Sequence, residues 1–288
     1  MPNLLPNGIG GLVADDLITA KNLQLSSPAR IWYVDSVTGD SGNSGKDRKF
    51  PKDTIDNALT ATGGGDDEII VCLSTHKEEI SSEINIFSAI TIVGEGATAG
   101  VPDVELTLAS AATNMFSFNQ SLGCIDIRNL HFMPPGNAAS PATSTGSYIV
   151  GNQPACRVLG CHFDFDEFNG DDGIIMTSGA DYWTYENCVF TNVDETDPVV
   201  DRPRPAVRID GGSPLKRLIM CGCTFDGGIH GFDDGSQNPY AFDGSIQVVN
   251  QVRILRMSLL RGADFKLHAD STGYVEVTLA TGHAKVEW

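Results

Sequence analysis

Two adjacent carboxylates in the middle of the chain are the side chains best suited to catalysis. Asp171 and Asp172 lie in the segment Asn169-Gly-Asp-Asp-Gly173, whose glycines indicate a tight turn. Two carboxyl groups can serve as general acid and general base across a glycosidic bond when their surroundings separate their pKa values. Glycine and aspartate are equally typical of solvated turns, so a purely structural interpretation stays open.

Acidic clusters elsewhere in the chain could bind a cation. Asp233 and Asp234 precede a glycine, and the segment Asp194-Glu-Thr-Asp197 carries three carboxylates. Ca²⁺ takes carboxylate and carbonyl oxygens as ligands, so these segments are the candidates for a calcium site. Neither has the spacing of an EF-hand loop, and solvated turns are the alternative interpretation. The sequence therefore predicts no cofactor, with Ca²⁺ at Asp233 and Asp234 as the candidate exception.

Cysteine and histidine pairs give weaker indications of chemistry. Cys221-Gly-Cys223 has the outline of half a zinc site, but the sequence offers no second pair of ligands at a matching spacing. With seven cysteines in total, reduced thiols buried in a core are the preferred interpretation. His131 and His162 occupy equivalent positions in two repeated segments and should point outward on one face. They form either a paired histidine site or ordinary exposed positions.

The charge balance argues against several kinds of partner. The chain of 288 residues carries 37 acidic and 19 basic side chains, which gives a formal net charge of −18. Nucleic acids and anionic membrane surfaces are bound through lysine and arginine, so neither is expected as a partner. A polysaccharide lyase acts on polyanionic chains, which such a surface would repel. The arginines on predicted strands that could serve a lyase are Arg157, Arg208, Arg217 and Arg253.

The sequence shows no targeting segment by the usual criteria. No apolar run approaches the length of a membrane span. The first eight residues lack the basic start and continuous apolar stretch of a signal peptide. The expectation is therefore synthesis in a cytosol without export by that route.

The elements that must position these residues repeat along the chain. Each repeat has a short apolar run, a turn, and a second strand that ends in an anchor of the type Ile127-Arg-Asn-Leu-His-Phe132. The anchors end at Phe132, Phe163, Phe190, Phe225 and Leu259, at intervals of 31, 27, 35 and 34 residues. Self-similarity at such a period is typical of a stacked solenoid. Loops of variable length interrupt the repeats at residues 134–146, 164–173, 194–205 and 226–244.

This pattern predicts an all-β fold, specifically a right-handed, single-stranded parallel β-helix. Helical periodicity is nearly absent after residue 62. The all-β alternatives are a sandwich and a propeller, but the repeat is too irregular for a propeller. The coils of a β-helix stack at about 4.8 Å, so equivalent side chains form rows in the core. Two rows are expected: the anchor phenylalanines, and the row Leu130, Cys161, Cys188 and Cys223.

Four regions follow from this interpretation. Residues 1–29 form a short N-terminal arm that would attach to a particle or partner. Residues 30–66 form an N-terminal cap with a strand, a polar loop and a short capping helix whose N-cap is Asp53. Residues 67–263 form the parallel β-helix, and residues 264–288 are cap strands. Caps are needed because the exposed end coils of a solenoid are edges prone to aggregation.

The opening of the chain resembles a known superfamily. Its strand, glycine/serine loop, capping helix and first coils are similar to those of the pectate-lyase-like superfamily. The resemblance covers about residues 31–260 and implies a right-handed parallel β-helix. Many members are phage tailspikes or other virion proteins, and others cleave acidic polysaccharides. The segments that carry the resemblance are Ile31-Trp-Tyr-Val-Asp-Ser36, Asp40-Ser-Gly-Asn-Ser-Gly45, Lys52-Asp-Thr-Ile-Asp-Asn-Ala-Leu59, Asp67-Glu-Ile-Ile-Val-Cys-Leu73, Lys77-Glu-Glu-Ile80 and Ile90-Thr-Ile-Val-Gly-Glu-Gly96.

The paired aspartates also resemble a motif of the polygalacturonase-type hydrolases, which would make Asp171 and Asp172 the catalytic carboxylates. That family carries a Gly-His-Gly segment as well, whereas here Ile229 is inserted before His230. The family's Asn-Thr-Asp segment has no clear counterpart, and Val252-Arg-Ile254 matches its Arg-Ile-Lys segment only in part. The incomplete set makes a hydrolase the less favoured interpretation.

The favoured function is that of a structural virion protein of a bacteriophage, most simply a capsid decoration or head-attached protein. By analogy with other phage β-helices, the chain should form a homotrimer. It should bind other virion proteins, such as the major capsid protein, through the N-terminal arm or the C-terminal strands. The first alternative is a tailspike-type protein that binds or hydrolyses a cell-surface glycan near Asp171 and Asp172. The second is a cytosolic or calcium-assisted scaffold in a bacterium.

Overall fold

Parallel β-strands dominate the structure, which is a computed structural model. Among the residues it describes there is one helix, and nearly all the other regular structure is parallel sheet. The expected all-β architecture is therefore confirmed. The described residues are 31–65, 67–109, 113–119, 124–134, 146–165, 173–177, 179–191, 206–209, 215–226, 240–244, 248–260, 264–266, 274–281 and 286–287.

The described strands form three parallel ladders, called ladders 1, 2 and 3 in the order in which the chain reaches them. Ladder 1 contains β1 (Ile31–Val34), β2 (Glu68–Cys72), β5 (Ile90–Gly94), β10 (Ile125–Arg128), β13 (Cys156–Leu159), β16 (Trp183–Glu186), β19 (Leu215–Cys221), β22 (Val248–Leu260) and β24 (Tyr274–Thr281). Ladder 2 contains β3 (Lys77–Ile80), β8 (Glu105–Leu108), β11 (His131–Met133), β14 (His162–Asp164), β17 (Val189–Thr191) and β20 (Thr224–Asp226). Ladder 3 contains β4 (Ile84–Ile86), β9 (Phe116–Phe118), β12 (Ile149–Gly151), β15 (Ile174–Met176), β18 (Val207–Ile209), β21 (Tyr240–Gly244), β23 (Asp264–Lys266) and β25 (Val286–Glu287). A short antiparallel hairpin pairs β6 (Ala97–Thr98) with β7 (Val101–Pro102).

The chain visits the three ladders in a cyclic order. After β2 in ladder 1 come β3 in ladder 2 and β4 in ladder 3, and β5 then returns to ladder 1 beside β2. The long strand β22 pairs with β19 by its first part and with β20 by its last part, so it belongs to ladders 1 and 2. Each circuit thus has three strands, one more than the two-part repeat expected from the sequence.

The repeated anchor is a corner between two strands, not the end of one strand as the sequence pattern suggested. Its third residue is Asn129, Gly160, Asn187 or Gly222, with φ of 52°, 60°, 53° and 67° respectively. This left-handed conformation costs glycine nothing and is tolerated best by asparagine among other residues. The chain turns there from ladder 1 into ladder 2. In the fifth anchor Arg256 takes this position, and β22 continues through it.

The core lies between the ladders, because one continuous apolar cluster takes inward side chains from all three. The predicted phenylalanine row is confirmed. Its rings stack at centroid distances of 4.5, 4.9 and 4.5 Å, close to the separation of neighbouring strands. The members of this row are Phe132, Phe163, Phe190 and Phe225, and the parallel row of Leu130, Cys161, Cys188 and Cys223 is also buried.

Helix α1 (Ile55–Thr62) packs against β1, β2 and β4, where the ladders begin. Its N-cap is Thr54, whose hydroxyl accepts a hydrogen bond from the Asn57 amide at 3.1 Å. The prediction of Asp53 as N-cap is wrong, because that carboxylate accepts from the Asn57 side chain instead, at 2.8 Å. The helix thus starts one residue later than the sequence pattern indicated.

The loop after β1 covers the free edge of ladder 1. The Tyr33 amide donates to the Gly45 carbonyl at 2.7 Å, and the Lys52 amide donates to the Tyr33 carbonyl at 2.8 Å. These bonds satisfy backbone groups that an edge strand would otherwise expose. At the other end β23, β24 and β25 pair in parallel with β21, β22 and β23, so they lengthen ladders 1 and 3.

Candidate functional site

The residues with the strongest catalytic or metal-binding prediction lie outside the described residues. These are Asp171, Asp172, His230, Asp233 and Asp234, together with the segment 194–197. The strands on either side do define which elements the segments join: residues 166–172 connect β14 to β15, and residues 227–239 connect β20 to β21. Both connections run from ladder 2 to ladder 3, two circuits apart.

Outward side chains of ladder 2 bring several titrating groups together. His131 and His162 face each other in register on β11 and β14, as predicted, and their ring centroids are 4.6 Å apart. The same row begins with Lys77 and Glu105, which form a salt bridge of 2.8 Å. The row therefore contains a cation, an anion and two imidazoles on four neighbouring strands.

Burial lowers the pKa of both histidines. For His131 the loss of solvation outweighs the attraction of Asp164 and Glu105. For His162 the same loss, together with the neighbouring His131, lowers the pKa to about 4. Both rings are therefore neutral near pH 7. A general base works best when its pKa lies near the working pH, so His162 is a poor base at neutral pH.

The contact between His162 and Thr191 has the outline of a base beside a hydroxyl nucleophile. The His162 Nε2 atom lies 2.9 Å from Thr191 Oγ1. In a working pair, a third group orients the base through its other ring nitrogen. The nearby carboxylate of Asp164 accepts from Thr191 Oγ1, at 3.4 Å. The Thr191 hydroxyl thus contacts both the imidazole of His162 and the carboxylate of Asp164.

An ion-pair cluster on the outer side of ladder 1 was not predicted. Asp126 on β10 is only 6% exposed and contacts Arg128 on the same strand, while Arg157 on β13 approaches it at 3.5 Å. The hydrogen bond that Arg128 donates to the Asp126 carboxylate raises the pKa of the guanidinium. Within the described part of the chain, Asp126 Oδ1 and Arg128 Nε have no hydrogen-bond partner. Finding this cluster required the register that places Arg157 opposite Asp126.

A second unpredicted cluster ties the cap to the first circuit. His76 is fully buried; its Nδ1 accepts from the Ser36 amide at 2.9 Å, and its Nε2 lies 3.0 Å from Glu78 Oε2. Because Nδ1 accepts, the ring proton belongs on Nε2, which donates to Glu78. Glu78 Oε2 also accepts from the amide of Ile55, the first residue of α1, at 2.9 Å. A carboxylate at a helix N-terminus stabilises the helix, so the role of this cluster is structural.

None of the seven cysteines forms a disulfide bond. Cys223 is buried in the core, whereas Cys221 is only partly buried and lies on the other side of the corner at Gly222. The pair therefore does not present two thiols to one ion. Burial raises the pKa of Cys161 to about 12, which keeps that thiol protonated and unreactive.

The described ranges contain no group of three or more histidine, cysteine, aspartate or glutamate side chains arranged to hold a metal ion. They also contain no helix with the length and apolar character needed to cross a membrane. The polar clusters that the structure does describe are ion pairs and hydrogen-bond networks that link neighbouring strands.

Comparisons with known proteins give one structural similarity. No protein-family model matches the chain, and the search of curated proteins gives no match. Among solved structures the chain is similar to "Geobacillus virus E2 - ORF18", with 14% sequence identity and a TM-score of 0.48. The alignment covers 87% of this chain and 50% of that chain, so this chain spans about half the length of the viral protein. These comparisons assign neither a family nor a function.

Proposed function

We propose that the chain is a structural protein of a bacteriophage virion, most simply a capsid decoration or head-attached protein built on a right-handed parallel β-helix. The observation that carries this proposal is the cyclic order of three parallel ladders around one apolar core. A solenoid of this kind forms a stiff rod, since each circuit contacts only its neighbours along one axis. The resemblance of the opening segments to a superfamily rich in phage virion proteins supports the same proposal.

The chemistry of the described polar clusters also supports a structural role. His162 is a poor base at neutral pH, the Asp126 cluster consists of ion pairs, and Glu78 accepts a hydrogen bond from the first residue of helix α1. Each cluster links neighbouring circuits or the cap, which adds stiffness along the stack. A formal net charge of −18 suits a protein that must stay soluble at the surface of a particle.

Assembly is the second part of the proposal. Such a protein would act as a homotrimer and contact the major capsid protein or another virion protein through one of its ends. Neither nucleic acid nor a membrane is expected as a partner, because the charge is unfavourable for both. Analytical ultracentrifugation of the purified chain tests the trimer directly, and a mass of one subunit at micromolar concentration would contradict it.

The proposed location on the head is tested on purified particles of the phage whose genome encodes the chain. Quantitative mass spectrometry should find the protein in the virion at a copy number divisible by three, and immunogold labels should lie on the head. Absence from washed particles, with the protein abundant in the lysate, would overturn the proposal. Labels at the tail tip would favour a spike instead.

A glycan-binding or glycan-hydrolysing spike is the second candidate, and one feature of the strand topology favours it. The segments that contain Asp172 and His230 join the same two ladders two circuits apart, which separates their starting points by about 10 Å. Cleavage of the host's surface polysaccharide by the purified protein, lost in Asp171→Asn and Asp172→Asn, would establish hydrolysis. Titration with Ca²⁺ in a calorimeter, with Asp233→Asn as the control, tests the calcium candidate separately.

A further inference from the structure

The chain leaves ladder 3 through a row of uncharged side chains. Backbone hydrogen bonds continue the parallel pairing one residue beyond the strands. The Asn119 amide donates to the Ile86 carbonyl at 3.1 Å, and one such bond at 2.9 Å joins the Thr177 amide to the next circuit. Residues at this position therefore stack at about 4.8 Å from circuit to circuit. They directly follow β4, β9, β12 and β15 and are called the corner row, which consists of Phe87, Asn119, Asn152 and Thr177.

The corner row is exposed to solvent and carries no charge. Phe87 is 62% exposed, both asparagines are exposed, and Thr177 is partly exposed. By contrast, the outer sides of ladders 1 and 2 carry the ion pairs described above. A neutral ligand can bind here without removing water from an ionised group, which is the costly step at a charged surface. The outward residues of the same four strands are uncharged as well, and they are Asn85, Ser117, Val150 and Ile175.

A second exposed aromatic ring lies at the same corner. Tyr182 directly precedes β16, in the turn that begins at Thr177, and is 47% exposed. Its φ is 63°, and the register aligns it with Ala155 of the preceding circuit, whose φ is 62°. A bulky side chain is unfavourable in this left-handed conformation, where glycine or asparagine fits at lower cost. Because the exposed ring adds little to the core, a contact with a ligand is the better explanation for a tyrosine at this position.

The polar groups of the corner row are oriented as hydrogen-bond acceptors. The side-chain nitrogen of Asn119 donates to Asn85 Oδ1 and to Ser117 Oγ, both at 2.9 Å. These bonds use both of its hydrogens and leave Oδ1 as an acceptor. The Thr177 hydroxyl donates to the Gly151 carbonyl at 3.2 Å, which leaves the lone pairs of Oγ1 as acceptors. Such acceptors favour a ligand that brings hydroxyl donors over a carboxylate or phosphate, which brings acceptors.

We propose that the corner row and Tyr182 bind a neutral saccharide. Its hydroxyl groups donate to the oriented oxygens, and the apolar faces of its rings pack on Phe87 and Tyr182. The row spans three strand spacings, about 14 Å, which suits a short oligosaccharide. A stable interface between proteins buries about 800 Å² on each partner, far more than a strip one residue wide supplies. The size of the row therefore favours a saccharide over a second copy of the chain.

This inference goes beyond the structural role in a virion, because binding requires neither a particle nor cleavage. It also differs from the hydrolytic candidate at Asp171 and Asp172, whose test is the cleavage of a polysaccharide. The corner row contains no titrating side chain, so it binds and does not hydrolyse. The two tests have separate readouts, and either one can fail while the other succeeds.

An oligosaccharide array tests the proposal on the full chain. The fluorescently labelled protein is applied to short immobilised oligosaccharides built from glucose, galactose, mannose or N-acetylglucosamine. The matched acidic set is built from galacturonic acid. Binding to a neutral oligosaccharide, with weaker or no binding to the acidic set, is the expected result. Absence of binding to every neutral oligosaccharide, or equally tight binding of the acidic set, would overturn the proposal.

Three variants locate the binding. Tyr182→Asn removes the ring and suits the left-handed backbone, so the melting temperature should stay the same or rise while the Kd increases about tenfold. Phe87→Ala should weaken binding by a similar factor. Phe50→Ala is the matched control, because this ring of the cap loop is 57% exposed and lies outside the corner row, and its Kd should not change. Unchanged binding in both Tyr182→Asn and Phe87→Ala, or an equal loss in Phe50→Ala, contradicts the proposal.

Sedimentation equilibrium tests the alternative occupant, a second copy of the chain. The unmodified protein is compared with Phe87→Asp, which places a charge in the corner row. An unchanged mass supports a surface that is free to bind a saccharide. A lower mass in Phe87→Asp assigns the row to a contact between copies and overturns the proposal.

Discussion

On the inner side of ladder 1, Ile70 on β2 and Tyr185 on β16 lie in the same row, and both are fully buried. One residue further along each strand, on the outer side, Val71 is buried whereas Glu186 is partly exposed. The inner row is thus apolar in every circuit whose side chains are described. The outer row is apolar and buried up to β5, and its residues on β10, β13 and β16 are partly exposed. The comparison teaches that stacking of the circuits requires apolar residues on the inner side of every circuit. On the outer side, the polarity of a residue depends on whether its circuit is covered.

The largest effect is expected from the inner side. Phe163→Ala removes a ring that stacks between Phe132 and Phe190, and the surrounding rows cannot collapse into the space. The free energy of unfolding should fall by about 4 kcal/mol, measured by chemical denaturation. Phe163→Leu, which keeps most of the volume, should cost less than half as much. A loss below about 1 kcal/mol for Phe163→Ala would mean that the row is not close-packed.

A charged substitution on the outer side of ladder 1 should destabilise the protein more in an early circuit than in a late one. Val71→Asp puts a carboxylate at a position that is 1% exposed, and the expected loss of unfolding free energy is about 3 kcal/mol. Leu159→Asp changes the equivalent residue three circuits later, where solvent reaches the side chain, and should cost less than about 1 kcal/mol. Equal losses in the two variants would remove the distinction between covered and uncovered circuits.

The outer side of ladder 2 should make stability depend on pH. The pKa of His162 is lowered from 6.5 to about 4 in the folded protein, so the unfolded chain binds the proton more tightly. The stabilisation is complete above pH 6.5 and is lost as the pH falls toward 4, by roughly 2 kcal/mol after allowance for solvent screening. Denaturation midpoints between pH 4 and 7 should show this slope.

Two variants check the assignment of that slope to the stacked rings. His162→Gln can keep a hydrogen bond to Thr191 and should flatten the pH dependence. His131→Gln removes the neighbour that lowers the pKa of His162 and should therefore narrow the pH range over which stability is lost. An unchanged slope in His162→Gln would show that another group titrates.

A loss of stability smaller than those for Phe163→Ala, Val71→Asp and the titration of His162 is expected at the ion-pair cluster on the outer side of ladder 1. Asp126→Asn leaves Arg128 and Arg157 without their shared carboxylate, but both guanidinium groups still reach solvent. The loss should be about 1 kcal/mol at low salt and should shrink as salt is added. Arg157→Gln should lower the free energy of unfolding by less than Asp126→Asn does. The reason is that Arg157 lies 3.5 Å from Asp126, farther than Arg128 does. A larger loss than that of Val71→Asp would reverse the expected order.

The strands and the inner rows were predictable from the sequence, because each depends on residues that are close together along the chain. Alternation of apolar and polar residues identified the strands, and the repeated anchors identified the phenylalanine row. The corner inside each anchor was predictable in principle, since its third residue is Asn129, Gly160, Asn187 or Gly222. The N-cap was missed because Asp53 and Thr54 are both good capping residues and only the backbone conformation distinguishes them.

The candidate sites were less predictable because they depend on register between circuits. The contact of Asp126 with Arg157 joins residues 31 positions apart, and that of His162 with Thr191 joins residues 29 positions apart. Loops of variable length separate these partners, so a spacing in sequence does not define a spacing in the stack. The histidine pair was found only because both rings lie at the same position of their anchors.

The sequence by itself determined the strand-rich character, the acidic charge and the identity of the inner rows, because each arises from composition or short-range alternation. The tertiary structure alone decided that each circuit has three strands and that the first circuits have an outer apolar surface. The physical reason is that hydrogen bonds between parallel strands align residues about 30 positions apart, and only that alignment defines what each outward side chain meets.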